Sequence, residues 1–197
     1  MTEIFVLAEH RQGQTRDITF EMLTKARELA EKASTDLTVV LLGKNVKGHA
    51  QALAEYAKQV LLVEDDKLED FNSEVYNKVL SSLIKEHKPL LTMIGHSSYG
   101  VDVAPRLAAA LDLPLATDCI DVEFENEALV VTRQMFGGKV NVNATARKSE
   151  SYIITVRSAT FEDQKPTLPI GGQIIEVPSP LKEERIAKRF VKYVPPP

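Results

Sequence analysis

Four stretches of the chain repeat one pattern, in which an apolar run of strand length is followed by a segment whose apolar residues recur at helical spacing. This alternation is typical of parallel sheets, because a parallel strand pair needs a crossover that a helix commonly supplies. Right-handed crossovers place helices on both faces. The sequence therefore predicts an α/β fold, a doubly wound, mostly parallel sheet in a Rossmann-like three-layer sandwich. Predicted strands cover residues 4–8, 37–42, 60–63 and 90–94, and predicted helices cover residues 17–33, 48–58, 72–86 and 102–111.

The fourth of these units, residues 90–118, has the clearest local signals. Gly95 ends the strand, and a residue without a Cβ allows the sharp turn that leaves the sheet. Asp102 is a residue type that caps helix N-termini, and Pro105 would then lie in the first turn, where its missing N–H costs no helical hydrogen bond. We therefore expect the helix to begin near Asp102.

The C-terminal third lacks helical spacing and consists of short strand-like segments separated by turn-like sequences. We expect additional antiparallel strands there, which extend or flank the parallel core. Residues 174–177 predict a further strand, whereas residues 183–194 fit either a charged helix or an edge strand. The antiparallel strands are predicted at residues 120–124, 128–135, 139–146 and 151–156.

The length of the chain, 197 residues, suits one domain with a substantial core. Pro195, Pro196 and Pro197 form a stiff extended tripeptide, which is more typical of a linker than of a packed terminus. The prediction is one domain over residues 1–194, followed by the start of a linker at residues 195–197.

Charge and apolar pattern argue against several classes of protein. Lys and Arg number 24 and Asp and Glu number 28, with the signs interspersed, which disfavours a nucleic acid or an anionic membrane as partner. No apolar run approaches the ~20 residues of a membrane span, and we expect no leader before the first strand. Cys119 is the only cysteine, so no intramolecular disulfide can form. The expected location is the reducing cytoplasm.

Two loops form the best candidate for a binding site. In an open α/β sheet, ligands bind outside the carboxyl ends of the strands, where the strand order reverses. If the sheet winds outward from its first strand, loops 9–16 and 95–100 face each other there. The second loop offers serine hydroxyls, backbone amides and a helix N-terminus, which suit a phosphate or a carboxylate. The candidate cofactor-binding residues are Gly95, His96, Ser97, Ser98 and Gly100.

Sharper catalytic motifs are absent or incomplete. The first strand is not followed by G-x-G-x-x-G, and loop 95–100 is not followed by the Lys-Ser/Thr of a P-loop. His96, Ser97 and Asp118 suggest a hydrolase, but Tyr99 occupies the position of the second glycine in a nucleophile elbow. The four histidines are far apart and lack the spacing of zinc ligands. We therefore predict no catalytic residue and no metal site.

A series of short motifs follows in a fixed order from residue 95 to residue 161: a G-x-S-x-x-G loop, an A-P-R-L-A run, a Thr-Asp pair, an aromatic-Gly-Gly element and an I-x-x-x-R-x-x-x-F strand. In order and spacing, the series closely resembles the N-terminal domain of the electron transfer flavoprotein α subunit. Residues 4–30 also look like that family's first strand and helix. The motif residues are Gly95, Ser97 or Ser98, Gly100, residues 104–108, Thr117, Asp118, Phe136, Gly137, Gly138, Ile153, Arg157 and Phe161.

The resemblance implies a nucleotide-binding-like domain whose usual nucleotide crevice is empty and which pairs with a β subunit. In the family, the complex carries electrons from acyl-CoA or other dehydrogenases to an acceptor. Most of the FAD is held by a C-terminal domain whose glycine-rich flavin motifs do not occur in this sequence. We therefore expect a scaffold domain of a redox carrier rather than an enzyme, with FAD in the complete complex and no cofactor on this chain alone.

Two other hypotheses remain open. The first is a free-standing regulatory domain that binds an adenine nucleotide, AMP or ATP, in the crevice beside residues 95–100. The second is a small hydrolase that acts through Ser97. Calorimetry with nucleotides separates the first from the scaffold function, because a scaffold predicts no binding tighter than millimolar.

Overall fold

The structure is a computed structural model that describes residues 3–126, 128–181, 185–188, 190–192 and 194. The described residues form eleven β-strands, four α-helices and one short 3-10 helix at Asp66–Leu68. The strands are β1 (Glu3–Leu7), β2 (His10–Arg11), β3 (Gln14–Thr15), β4 (Asp36–Gly43), β5 (Gln59–Glu64), β6 (Leu91–Gly95), β7 (Leu115–Glu125), β8 (Ala128–Met135), β9 (Val140–Thr145), β10 (Tyr152–Val156) and β11 (Gln173–Glu176). The helices are α1 (Asp17–Ala33), α2 (Lys47–Ala54), α3 (Ser73–His87) and α4 (Ser98–Leu111).

Nine of these strands form one sheet in the order β11-β5-β4-β1-β6-β10-β7-β8-β9, and β2 pairs with β3 in a separate hairpin. The strands from β11 to β7 are parallel, and β8 and β9 follow in antiparallel pairing. Helices α1 and α2 pack on one face, and α3 and α4 pack on the other. The prediction of a doubly wound, mostly parallel three-layer fold is confirmed.

Helices α1 and α3 form where the sequence predicts, because each has a regular apolar stripe and a local stop signal. In α1, Met22 and Leu29 are fully buried against the sheet, and each contributes about 2 kcal/mol to stability. In α3, the side chain of Asn72 accepts the N–H of Glu74 at 3.0 Å and caps the helix. The helix then ends at Lys88, which adopts a left-handed conformation.

Helix α4 begins four residues earlier than predicted. The capping residue is Ser97 rather than Asp102, because the Ser97 Oγ atom accepts the N–H groups of Tyr99 at 3.1 Å and of Gly100 at 3.3 Å. Pro105 therefore lies inside the helix rather than in its first turn. The proline frees the carbonyl of Val101, and both residues lie on the solvent-exposed face, where water can bond to that carbonyl.

The expectation that residues 151–156 form an antiparallel strand that extends or flanks the parallel core is wrong. Strand β10 is parallel and lies between β6 and β7, near the middle of the sheet. All five of its residues are buried. Its unbroken apolar character, which includes Ile153 and Ile154, is typical of a parallel strand covered on both faces. Only β7, β8 and β9 pair in the predicted antiparallel manner.

The C-terminal segment packs along the edge of the domain. Of the two predictions for this segment, the strand at residues 174–177 is confirmed. Strand β11 pairs in parallel with β5, as the apolar run at residues 174–177 indicated. Before this strand, the N–H of Gly172 bonds to the carbonyl of Ala54 at 2.8 Å and that of Ile170 to Glu55 at 3.0 Å. These bonds use the last carbonyls of α2, which ends earlier than expected.

The described residues among 183–194 form neither a helix nor a strand. They lie along α3, where the carboxylate of Glu74 accepts the N–H groups of Ala187 at 3.0 Å and Lys188 at 3.3 Å. These two N–H groups therefore bond to a side chain rather than to the backbone carbonyls that a helix or an edge strand would supply. The predicted linker at residues 195–197 lies outside the described residues.

Candidate functional site

The crevice predicted between two loops forms at the point where the strand order reverses. Strand β1 lies between β4 and β6, so the chain winds outward in both directions from it. The loop after β1 and the loop after β6 meet there, and the Ser97 hydroxyl donates a 2.6 Å hydrogen bond to the Glu9 carboxylate. The structure thus brings together the two loops that the sequence indicated.

The five candidate residues of the second loop do not line the crevice as one group, because they lie on different elements. Gly95 is the last residue of β6, Ser97 caps α4, and Ser98 and Gly100 lie in the first turn of the helix. His96 points away from the crevice, because its Nδ1 atom lies 2.8 Å from the Thr155 hydroxyl on β10.

The positive end of α4 faces a carboxylate from the chain itself. Ser97 donates to Glu9 while it accepts the two helix amides, so one hydroxyl joins the carboxylate to the helix N-terminus. The backbone of Glu9 is held by Thr19, whose hydroxyl lies 2.9 Å from the Glu9 N–H and 3.2 Å from the Glu9 carbonyl. Helix N-termini favour anions, and here the anion is a side chain.

The two glycines allow close packing of α4 on the sheet. A Cβ atom built on Gly100 would lie 1.9 Å from the carbonyl oxygen of Gly95. A Cβ on Gly95 would lie 3.1 Å from Ile18 and 3.3 Å from the Glu9 carboxylate. The glycines are therefore explained by contacts within the chain, without a ligand.

Little free space remains in the crevice. Its cavity measures about 10 Å³, which is close to the minimum for one water molecule. Tyr99 fills one side of it and stacks on Phe71 with ring centroids 3.8 Å apart and an angle of 3° between the planes. A nucleotide needs a site of several hundred Å³. The crevice is closed to such a ligand in this conformation.

A more open groove of about 450 Å³ lies on the outer side of the same aromatic stack. Phe71 and Tyr99 line its inner wall, the β2–β3 hairpin borders it at Arg11, and the C-terminal segment borders it at Phe190 and Lys192. This volume is within the range of small-molecule sites. An adenine nucleotide does not fit the crevice, whereas this groove is large enough for one.

The residues that suggested a hydrolase do not assemble into a catalytic triad. The Ser97 hydroxyl bonds to Glu9 rather than to His96. The Nε2 atom of His96 is 3.9 Å from Asp118, which is beyond hydrogen-bond distance. Asp118 is held instead by two hydrogen bonds from Arg157, at 2.8 and 2.6 Å. These bonds to the Arg157 guanidinium are the main reason that the pKa of Asp118 is below its usual value.

Cys119 and the acidic and histidine side chains give no other reactive site in the described part of the chain. Burial raises the pKa of the Cys119 thiol to about 12, so the nucleophilic thiolate does not form at neutral pH. Within the described ranges, no group of three or more His, Cys, Asp and Glu side chains could hold a metal ion.

No helix within those ranges has both the length and the apolar character that a membrane crossing requires.

The sequence reasoning did not identify one surface, the β8–β9 hairpin (residues 128–145). All six residues of β9 are exposed, and so is Phe136 in the turn between the two strands. The sequence predicts a strand at residues 139–146, which the structure places at Val140–Thr145, but the strand pattern does not indicate that both of its faces are exposed. The signal that could have indicated an exposed surface is the absence of any acidic residue from 128 to 149.

Comparison with known proteins gives consistent matches over most of the chain. Residues 4–181 match the family model described as the electron transfer flavoprotein domain. A protein named FixB from Clostridium saccharobutylicum is 38% identical over 162 residues, which are 81% of this chain and 48% of that protein. The electron transfer flavoprotein α subunit of Clostridium acetobutylicum is 36% identical over 81% of this chain and 48% of its own length. The α subunit of Megasphaera elsdenii is 31% identical over 97% of this chain and 57% of its own length. The chain spans about half the length of these curated relatives.

Proposed function

The chain belongs to the electron transfer flavoprotein family, and from that premise we propose that it is the scaffold domain of an α subunit, which docks against a β subunit. The complete complex carries electrons from acyl-CoA or other dehydrogenases to an acceptor through FAD. In this proposal, residues 1–194 are the domain and residues 195–197 begin a linker to a flavin-binding domain. The chain works in the cytoplasm as part of a redox carrier rather than as an enzyme.

The observation that carries this proposal is the closed crevice. A domain of this fold that binds a nucleotide needs an open site at the strand reversal and a free helix N-terminus. In this chain the helix faces Glu9, Tyr99 fills the adjacent space, and the remaining cavity is about 10 Å³. A domain whose own site is filled by its side chains suits a docking role.

The residues of the crevice do not fit FAD. The first amides of α4 already donate to Ser97, which in turn donates to the Glu9 carboxylate, so a pyrophosphate beside them would lie close to a group of like charge. The cavity is also far smaller than a dinucleotide. We therefore assign no step of electron transfer to this chain.

Capture of the β subunit tests the proposed function. The purified 197-residue chain should form a stable complex with the β subunit from the same organism, measured by calorimetry and by co-purification. The chain alone should be colourless, without the visible absorbance of a flavin. Failure to capture the β subunit, or a yellow preparation saturated with flavin, would contradict the proposal.

A second candidate function, an adenine-nucleotide-binding regulatory domain, is favoured by the open groove beside Phe71 and Tyr99. A base could stack on these rings, and Lys192 could contact a phosphate. Calorimetry with AMP and ATP decides between the two. The scaffold function predicts no binding tighter than millimolar, whereas micromolar binding that Tyr99→Ala removes would support the regulatory domain.

A further inference from the structure

Several large apolar side chains of the β8–β9 hairpin are exposed to solvent. Phe136 is 76% exposed, and Met135, Val140 and Val142 are each about 40% exposed. Every residue of β9 is exposed, so both faces of the strand meet solvent. Contiguous apolar surface of this kind marks interaction sites in soluble proteins.

Strand β9 also ends the sheet with an unpaired edge. Among the described residues, it has one hydrogen-bonded neighbour, β8, and its other edge is open. Proteins protect such edges with charged residues, proline or bulges. Residues Val140–Thr145 contain no charge and no proline. The edge is therefore available for pairing with another polypeptide.

The turn of the hairpin holds an aromatic side chain in an unfavourable backbone conformation. Phe136 has a φ of +53°, and Gly137 and Gly138 follow with φ values of +67° and +85°. Positive φ is uncommon for a bulky side chain, and strained residues of this kind are concentrated at functional sites. The turn directs the Phe136 ring outward at the end of the hairpin, where a partner can bury it.

The charge of the hairpin limits what can bind there. The segment 128–149 contains four basic residues, and all 28 acidic residues of the chain lie outside it. Arg147 is paired with Asp112 at 3.0 Å, whereas Lys139 is exposed beside the turn. Two such hairpins would repel each other, which disfavours self-association through this surface. Charge complementarity favours a different protein with an acidic surface.

We propose that the β8–β9 hairpin is the docking site for the protein partner, which buries Phe136 in an apolar recess and places carboxylates near Lys139. This inference rests on the proposed function, in which the partner is the β subunit, and it adds the location and the chemistry of the contact. The edge of β9 adds backbone hydrogen bonds to the same contact.

Substitution of Phe136 by asparagine tests the role of the ring. Asparagine tolerates positive φ, so Phe136→Asn removes the apolar contact without strain in the turn. Calorimetry with the β subunit should show affinity weakened by about 30-fold or more, as expected for a central aromatic contact. The matched control is Leu168→Asn, which changes a residue that is 80% exposed near the opposite edge of the sheet and should leave affinity unchanged.

Charge reversal at Lys139 tests the acidic surface of the partner. Lys139→Glu should weaken binding and slow association, and the difference from the unmodified chain should shrink as salt is added. Lys85→Glu makes the same change of charge on the exposed face of α3 and should have no comparable effect. Melting curves should show every variant folded at the temperature of the binding measurement, since each altered side chain is exposed.

The outcomes separate this inference from the proposed function. If the unmodified chain binds the β subunit and both hairpin variants bind equally well, the docking site is wrong and the scaffold function stands. If the unmodified chain does not bind the β subunit, both are rejected. If sedimentation shows a dimer that Phe136→Asn dissociates, the occupant is a second copy of the chain, which contradicts the acidic partner.

Discussion

Ser97 shows how a single hydroxyl determines the character of the crevice. It accepts two amides at the start of α4 and donates to Glu9, so the helix N-terminus and the first loop are joined through one side chain. A serine in such a loop can equally bind a phosphate in other proteins. The difference here lies in Glu9, whose carboxylate accepts the Ser97 hydroxyl beside the start of α4.

Replacement of Ser97 by alanine should lower the free energy of unfolding by about 1–2 kcal/mol, because the variant loses the helix cap and leaves Glu9 without its donor. Urea denaturation measures the change. Ser98→Ala is the matched control, because Ser98 is the adjacent serine within the helix, and its stability should change by less than about 0.5 kcal/mol. Equal effects at both positions would argue against this role for Ser97.

Gly100 is the glycine for which the structure predicts the largest cost of substitution. The Cβ of Gly100→Ala would lie 1.9 Å from the backbone carbonyl of Gly95, and neither chain segment can move without shifting α4. We expect a loss of about 3 kcal/mol or more in urea denaturation. Gly48→Ala has no atom within 4 Å of its Cβ and lies within α2, so it should be neutral or slightly stabilising. Similar losses for the two variants would contradict the close approach.

At the scale of elements, the β8–β9 hairpin is attached to the parallel core through β7, which pairs with β10 on one side and with β8 on the other. The first half of β7 pairs in parallel with β10, and the second half pairs antiparallel with β8. Asp118, with a φ of +57°, comes directly before Cys119, the residue that pairs with both β10 and β8. Arg157 binds the Asp118 carboxylate from the end of β10. The same Arg157 guanidinium also donates to the side chain of Gln134 on β8, so Arg157 links the hairpin to the parallel core.

The ion pair should make stability depend on pH. Because the folded pKa of Asp118 is below its usual value of 3.8, its contribution is fully present above that value. The contribution is lost as the pH falls from 3.8 towards the lower pKa of the folded state. Asp118→Asn should therefore reduce the acid-dependent part of the unfolding free energy, measured by urea denaturation from neutral to acidic pH.

Asp112→Asn is the control for this pH effect. Asp112 also has a positive φ, of +51°, and it also pairs with an arginine, Arg147. Its side chain is almost fully exposed, however, and exposed ion pairs contribute little. If Asp112→Asn and Asp118→Asn altered the pH dependence equally, the Arg157 pair would have no special role.

At the scale of the whole molecule, stability should be unevenly distributed across the sheet. Strand β10 is buried between two parallel neighbours, whereas β9 is exposed at the edge. Hydrogen exchange of the free chain should show β10 amides that open only on global unfolding and β9 amides that exchange far faster. If the two strands were protected equally in the free chain, β9 would already be covered and unavailable to a partner.

Much of this architecture follows from local patterns in the sequence. Helix α1 and the first four parallel strands of the core are set by apolar spacing, and that spacing depends only on neighbouring residues. The meeting of loops 9–16 and 95–100 follows from the sheet order common to such folds. These features could be predicted because each element carries its own signal.

Other features depend on residues far apart in the chain. The position of β10 is set by burial between β6 and β7, since the same short apolar run is compatible with an edge or a central strand. The start of α4 depends on the bond from Ser97 to the distant Glu9, because Ser97 and Asp102 are both suitable caps from local sequence. The closed crevice and the exposed hairpin arise in the same way, because only the packed molecule determines which side chains meet and which remain uncovered.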